Sequence, residues 1–395
     1  MSTDATAVDA TRADAPEVDA TPADAPVADA PAVDATPADA PAVDAIPDGA
    51  QVACEPPIAS FAYTNAGQQQ YRRAVVDTGI GWIIAYDTTP TTRQVWWTAV
   101  AYDGTVLAAP QSLPGMRFEP RLAVEGTTVW LASVMEGGSW FVQPLTVAGA
   151  IDGAERSLPS SGAQLGGLIG EPGQGFRAVW YRTRPVSYPE RPHEIDVTVA
   201  HLDHNGVPTG TATTTLVNAT PVGPATGFAD GTAALATNVL SPVGICFACG
   251  TTGVAVIDAG DGVTDHGSTP VSASQRGIEL GFTEAGAQRY SYWTGYPQTM
   301  GGTQDGFIAR LPHTPLVTIA RAGGLSIAGT RAGAGAIVYF DVDGGWVQAF
   351  TDDGTHFARG ERCRLDLRPN MTLRRDDTSV LVLNDDGGGR IVRIP

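Results

Sequence analysis

The chain has 395 residues, a formal net charge of −18, 43% hydrophobic residues, 47 Gly and 29 Pro. No apolar run approaches the roughly 18 residues that a bilayer-spanning helix needs, which excludes a transmembrane segment in the chain as given. Gly and Pro in this abundance, without a long helical apolar period, are what many short strands joined by tight turns require.

The charge is unevenly spread. Residues 1–50 carry ten Asp and Glu17 against the single base Arg12, so this segment holds −10 of the −18. The remaining −8 offers no basic face for a phosphate backbone, and nucleic acid is excluded as a partner on that ground. All 24 basic residues are Arg, which reads as the codon bias of a GC-rich genome rather than as guanidinium chemistry.

In chain order, the first element is a repeat. Asp-Ala recurs at a five-residue period from Asp4 to Asp44, interleaved with Pro16, Pro22, Pro26, Pro31, Pro37, Pro41 and Pro47. A period of five fits neither strand nor helix, and a segment without aromatic or leucine residues cannot bury enough apolar surface to offset its ordering entropy. Residues 1–54 are therefore expected to be a disordered, extended tail reaching on the order of 140 Å, with a folded domain over 55–395. In composition the tail resembles the Asp-, Ala- and Pro-rich tethers that follow the lipid-anchored cysteine of surface lipoproteins in GC-rich Gram-negative bacteria. That resemblance implies a spacer holding the domain off a bacterial cell surface. Nothing ahead of the tail supplies a charged n-region, an apolar h-region or a cleavage site, so export by that route requires a start further upstream. Cys54, in Gln-Val-Ala-Cys, has no preceding hydrophobic segment and is not read as a lipidation site.

Beyond the tail a strand set recurs every 43 to 57 residues or so, the spacing of propeller blades. Its clearest member is an aromatic and β-branched strand: 81–86 (GWIIAY), 128–134, 176–181 (FRAVWY), 232–238, 288–293, 335–340 and 378–383. A strand of small residues precedes each, suited to a crowded central channel, and further strands follow. Several end in hairpin signals such as Asp103-Gly104, Asn205-Gly206 and Asp353-Gly354. The seventh set stops at its third strand, and the spare segment 57–65 (PIASFAYTN) is the strand that would complete it. Pairing the two chain ends in this way protects sheet edges.

This pattern resembles the β-propeller superfamily over about 340 residues. The expected fold is all-β: a single propeller of about seven four-stranded blades, its ring closed by an N-terminal strand. No subfamily marker is present beyond one imperfect sialidase-type Asp box, Asp352, Gly354 and Phe357, with Phe350 where Ser or Thr is usual. Because the superfamily spans enzymes and binding modules, the fold does not choose a function.

In propellers the second-to-third and fourth-to-first connections share one face. Here the second-to-third loops over about 182–194, 239–253 and 294–306 are long, and long loops on a rigid scaffold are where recognition resides. The first gathers Tyr181, Arg182, Arg184, Tyr188, Arg191 and His193, and the third places Trp293, Tyr296 and Gln298 near a Gly pair. Aromatics beside guanidinium groups suit sugar stacking and anionic or peptide ligands, and the alternative is that these side chains pack the loops on one another. Tyr181, Arg182, Arg184, Tyr188, Arg191, Trp293 and Tyr296 are the expected ligand-binding residues.

The four cysteines are Cys54, Cys246, Cys249 and Cys363. Cys246-Phe-Ala-Cys249 reads first as a loop-stapling disulfide, then as reduced thiols or half a metal site; the Cys54–Cys363 pair is the looser alternative. Asp258 to Asp265 and Asp341 to Gly344 depart from calcium-loop spacing and read as turns, and His201-Leu-Asp-His204 reads as a solvated strand end. No nucleophile elbow, phosphate loop, metal set or cofactor motif stands out.

The sequence thus points to a monomeric, non-enzymatic ligand- or protein-binding propeller at or outside the cell surface, taking a glycan, peptide or protein on its long-loop face. The other readings are a carbohydrate-active hydrolase or lyase on that face and a structural surface protein.

Overall fold

The computed structural model describes residues 51–65, 70–88, 93–160, 162–171, 173–184, 194–217, 219–240, 250–268, 280–295, 305–312, 314–329, 333–367, 369–374, 379–384 and 386–395. Within them the regular structure is entirely β: seven antiparallel sheets arranged as blades over 70–112, 117–158, 164–217, 219–268, 281–319, 323–365 and 369–393. Each blade runs from a first, inner strand to an outer one. Blades 1 to 6 draw four strands from consecutive sequence. Blade 7 has three of its own, and Ala59–Ala62 pairs antiparallel with Gly388–Arg393 as its fourth, Ala59 opposite Ile391 and Ala62 opposite Gly388. Ile58 N donates to Ile391 O and Tyr63 N to Gly387 O, extending that ladder at both ends.

The second strands explain why this fold shows in the sequence as apolar runs. Gly81–Thr88 is buried at every position, because a strand in the middle of a blade has a neighbouring blade on each face and no solvent side to alternate towards. The core is correspondingly divided into seven clusters, one at each blade-to-blade junction. Between blades 2 and 3, Trp130, Trp140, Phe176 and Trp180 interlock, Trp140 meeting Trp180 edge-on at 6.3 Å. Between blades 7 and 1, Tyr63 and Trp82 pack with Leu381 and Leu383. The closing segment therefore contributes a wholly buried ring, not only a strand edge.

The third-to-fourth turn of blade 2 ties it to blade 1. Gly149, at φ +83°, sits so close to blade 1 that a Cβ there would lie 2.7 Å from the Ala99 Cβ, and its carbonyl accepts the Trp97 Nε1 proton at 2.9 Å. Only glycine supplies both the left-handed backbone and the missing methyl.

The N-terminal boundary lies earlier than expected. Gln51–Val52 pairs parallel to the outer strand of blade 6, Gln51 opposite Arg362 and Val52 opposite Cys363, giving that blade a fifth strand. Cys54 is disulfide-bonded to Cys363, with Cα atoms 4.9 Å apart. The fold thus includes 51–54, which composition alone places in the tail; two residues of strand are too few to show a period in sequence. Residues 1–50 and the Cys246/Cys249 pair lie outside the described residues. Among the described residues no helix is long and apolar enough to cross a membrane.

Candidate functional site

The face carrying the second-to-third and fourth-to-first connections holds two polar constellations. The first surrounds the mouth of the central channel in blades 1 to 3. Inner strands of six blades are bulged near this face, among them those at Gln70/Arg73, Phe118/Arg121 and Leu165/Gly167. An extra residue in one strand re-aims the side chains around it. Asp87, at the end of a second strand and 2% exposed, fixes two of these bulges: its carboxylate accepts Arg72 N at 2.7 Å and Glu119 N at 3.0 Å. Burial raises the Asp87 pKa, opposed by those two backbone hydrogen bonds.

Glu119 occupies the left-handed region at φ 57°, a conformation that costs a non-glycine residue about 1–2 kcal/mol. Its carboxylate is ion-paired to Arg72, lies 3.8 Å from Arg121 Nη2 and accepts from Gln164 Nε2 at 3.4 Å. Arg121 Nε donates to Gly166 O at 3.2 Å. Gly166 leaves room for Tyr181, since a Cβ there would lie 2.7 Å from the ring. Burial pushes the Tyr181 phenol up, against the opposing pull of Arg121. Arg72 and Arg121 balance Asp87 and Glu119, so this constellation is closed upon itself.

The second constellation is open. A cleft of about 900 Å³ lies between blades 6 and 7, its lining including Gly344, Arg364, Asp366, Asn384, Asp386 and Arg390. Its wall on blade 6 is the turn in which Asp341 Oδ1 accepts Asp343 N at 2.7 Å and Gly344 N at 3.1 Å. Gly344 has φ +142°, and a Cβ on it would fall 3.0 Å from Arg364 Nε, so the bare backbone is what lets the guanidinium lie against the turn. On the blade 7 side, Asn384 Oδ1 accepts Gly388 N at 2.7 Å. Arg390 is ion-paired to Asp366. Arg364 and Asp386 are both exposed, and neither side chain has a hydrogen-bond or ion-pair partner among the described residues.

The residues expected to bind ligand are differently placed. Tyr181 is 6% exposed and Trp293 1% exposed; Trp293 stacks on Phe307 at 5.5 Å inside the junction of blades 4 and 5. Both belong to second strands, whose side chains are enclosed by the adjacent blades, and this differs from the exposed rings expected there. Arg184 is exposed but engaged: its Nε lies 2.9 Å from Asp196 Oδ1, its Nη1 3.1 Å from Glu194 Oε2 and its Nη2 2.9 Å from Thr215 Oγ1. That bonding raises the Arg184 pKa, the Asp196 hydrogen bond first. Arg182 is exposed beside it. Tyr188, Arg191 and Tyr296 lie outside the described residues, as do most of the three long loops. No sequence signal could have found the blade 6–7 cleft, because Arg364 and Asp386 stand in unremarkable contexts and meet only through the tertiary fold.

On the opposite face, polar groups work as fasteners between blades. Arg177, 1% exposed, places Nε 3.0 Å from Glu171 Oε1 and Nη1 3.3 Å from Asp261 Oδ1, with bonds to the carbonyls of Asp258 and Gly231. His201 bridges the same two carboxylates, Nδ1 at 2.9 Å from Glu171 and Nε2 at 2.5 Å from Asp261. His204 Nδ1 lies 3.2 Å from Glu125 of blade 2. The Asp-box fragment also proves to be such a fastener. Asp352 Oδ1 accepts Gly354 N at 2.8 Å, and the carboxylate takes Arg310 and the Tyr290 hydroxyl of blade 5, both at 2.7 Å. Phe350 stacks on Phe357 at 5.2 Å where the usual hydroxyl residue would stand. Asp258 Oδ1 is consumed by Gly260 N and Gly262 N of its own turn. Among the described residues no group of three or more His, Cys, Asp or Glu is arranged to hold a metal.

Fold and site together define the protein as a seven-bladed β-propeller with a polar cleft on its loop face. No family model matches the chain, and no curated protein matches it. Solved structures do resemble it. A chain of the mitotic checkpoint complex is 12% identical, with 87% of this chain and 96% of that one covered and a TM-score of 0.49. The β-propeller domain of the Trilobed protease from Pyrococcus furiosus, described as having an open velcro topology, is 7% identical over 79% and 91%, with a TM-score of 0.44. The WD40 domain of Toxoplasma gondii coronin is 12% identical over 87% and 88%, with a TM-score of 0.36.

Proposed function

We propose that this propeller is a monomeric, non-enzymatic recognition module, exported and held near a cell surface, that takes its ligand on the loop face. The observation that carries the reading is the open cleft between blades 6 and 7, in which Arg364 and Asp386 are exposed and unsatisfied by any described residue. Charged side chains lining a concavity and lacking intramolecular partners are groups set for an external one. At the channel mouth, by contrast, the acid pair Asp87 and Glu119 is committed. Asp87 gives its carboxylate to backbone N–H groups and is sealed from solvent, a poor arrangement for a general acid that must reach a substrate. This favours binding over hydrolysis. The Cys54–Cys363 disulfide supports export, because such bonds persist in oxidising compartments and are rare in reducing ones.

The test is to probe the full chain against immobilised glycan and peptide arrays, then to assay turnover of every bound ligand. Saturable binding without turnover, lost on Arg364→Ala, is the expected result. Turnover of a bound glycan would reassign the protein as a carbohydrate-active enzyme, and absence of saturable binding would leave it a structural surface protein.

A further inference from the structure

The cleft also carries information about ligand class, on the condition that it is the recognition site. The charged groups of its described lining sum to zero, Arg364 and Arg390 against Asp366 and Asp386, but the charges are not equivalent. Arg390 and Asp366 neutralise one another. Among the described residues, what remains for a ligand is one free guanidinium on the blade 6 side and one free carboxylate on the blade 7 side. A guanidinium presents a planar fork that matches a carboxylate, and a carboxylate accepts from an ammonium or guanidinium. No aromatic ring is among the described residues lining the cleft, so none of them offers the stacking platform on which a neutral sugar is usually held. A polyuronate would satisfy Arg364 but would set its other carboxylates against Asp386. A ligand carrying both signs side by side satisfies both free groups and meets no repulsion.

We infer that the cleft between blades 6 and 7 binds a dipolar peptide segment, in which an acidic side chain pairs with Arg364 and a neighbouring basic side chain with Asp386. A volume of about 900 Å³ lies within the range of ligand-sized cavities. The glycine at 344 keeps the wall low enough for the ligand carboxylate to reach the guanidinium past backbone alone.

The experiment is a pair of double-substitution cycles at low ionic strength, where partly exposed charge pairs are least screened. The probe is a synthetic capped tetrapeptide, acetyl-Gly-Glu-Arg-Gly-amide, with analogues in which Gln replaces either charged residue, and oligogalacturonate as the competing polyanion. Arg364→Gln is expected to weaken the parent peptide about fivefold, the scale of a solvent-exposed ion pair, while leaving the analogue without the acid unaffected. Asp386→Asn is expected to do the same against the analogue without the base. Both positions are exposed and unpartnered among the described residues, so the variants keep the fold. Additive losses with no coupling, or tighter binding of oligogalacturonate than of the peptide, would overturn the inference. If the arrays yield a saturable ligand while this peptide fails to bind, the peptide assignment falls and the recognition module stands; if nothing binds at all, both fall.

Discussion

Replacing Cys54 and Cys363 together by Ala removes a cross-link that closes almost the whole domain, the two residues being 309 positions apart. In the chain-entropy treatment the bridge restricts the unfolded ensemble by about 2.1 + 1.5R ln n, roughly 19 cal/mol/K for this loop, or about 5.7 kcal/mol at 25 °C. Removal of native disulfides is typically measured at about 2–5 kcal/mol, so a loss of about 4–5 kcal/mol is expected. The folded state should change little. Val52, Val347 and Leu365 remain in the blade 6–7 core and the closing strand at Ala59–Ala62 keeps its ladder. Urea unfolding followed by the buried tryptophans, Trp82, Trp97, Trp130 and Trp293 among them, reads the difference directly. With a slope of about 3 kcal/mol/M, the upper value for small proteins, the midpoint should fall by about 1.5 M. Because Cys246 and Cys249 are untouched, the shift reports this bridge alone. A midpoint change below about 0.3 M at unchanged slope would refute the reasoning, showing that the bridge does not restrict the unfolded chain.

Arg177→Met should destabilise the domain by about 3 kcal/mol in the same assay, because it leaves the partly buried carboxylates of Glu171 and Asp261 with His201 alone against them. His201 should make stability pH-dependent. Desolvation lowers its pKa, but the hydrogen bonds to Asp261 and Glu171 outweigh that, and the net shift is upward. A raised folded-state pKa means the contribution is fully present below the unfolded value near 6.5 and is lost as pH rises through the folded value. The stability gap between the native chain and His201→Gln should therefore shrink from pH 5.5 to pH 8.5; a gap that widens would contradict the bridging role. Gly149→Ala should cost about 1–3 kcal/mol, from the left-handed backbone and the approach to Ala99, and thermal unfolding with Gly126→Ala as control separates the two causes. Gly126 shares a positive φ but has open space around it.

How far the sequence reached differs between elements. The seven second strands lay where their aromatic and β-branched runs placed them, because a strand enclosed on both faces is mostly apolar and so writes itself into the sequence. The spare segment at 57–65 was legible for a topological reason: a ring of four-stranded sheets whose last member has three strands needs one from elsewhere. The Gln51–Val52 strand was not legible, being shorter than any period. The pairing of Cys54 with Cys363 was legible only as the looser candidate, because proximity across 309 residues is set by ring closure and not by spacing.

The sequence also misjudged exposure at Tyr181 and Trp293. An aromatic at the end of a strand beside a long loop looks available, and only the adjacent blade decides that it is covered. Composition and period by themselves determined the class of fold, the number of blades and the means of closure, because these depend on local patterns repeated along the chain. The meeting of Arg364 with Asp386 in one cleft, and the bonding of Arg177, His201, Glu171 and Asp261 into one fastener, were decided by the tertiary structure alone. Those groups come from different strands and blades, and their chemistry depends on which of them find partners.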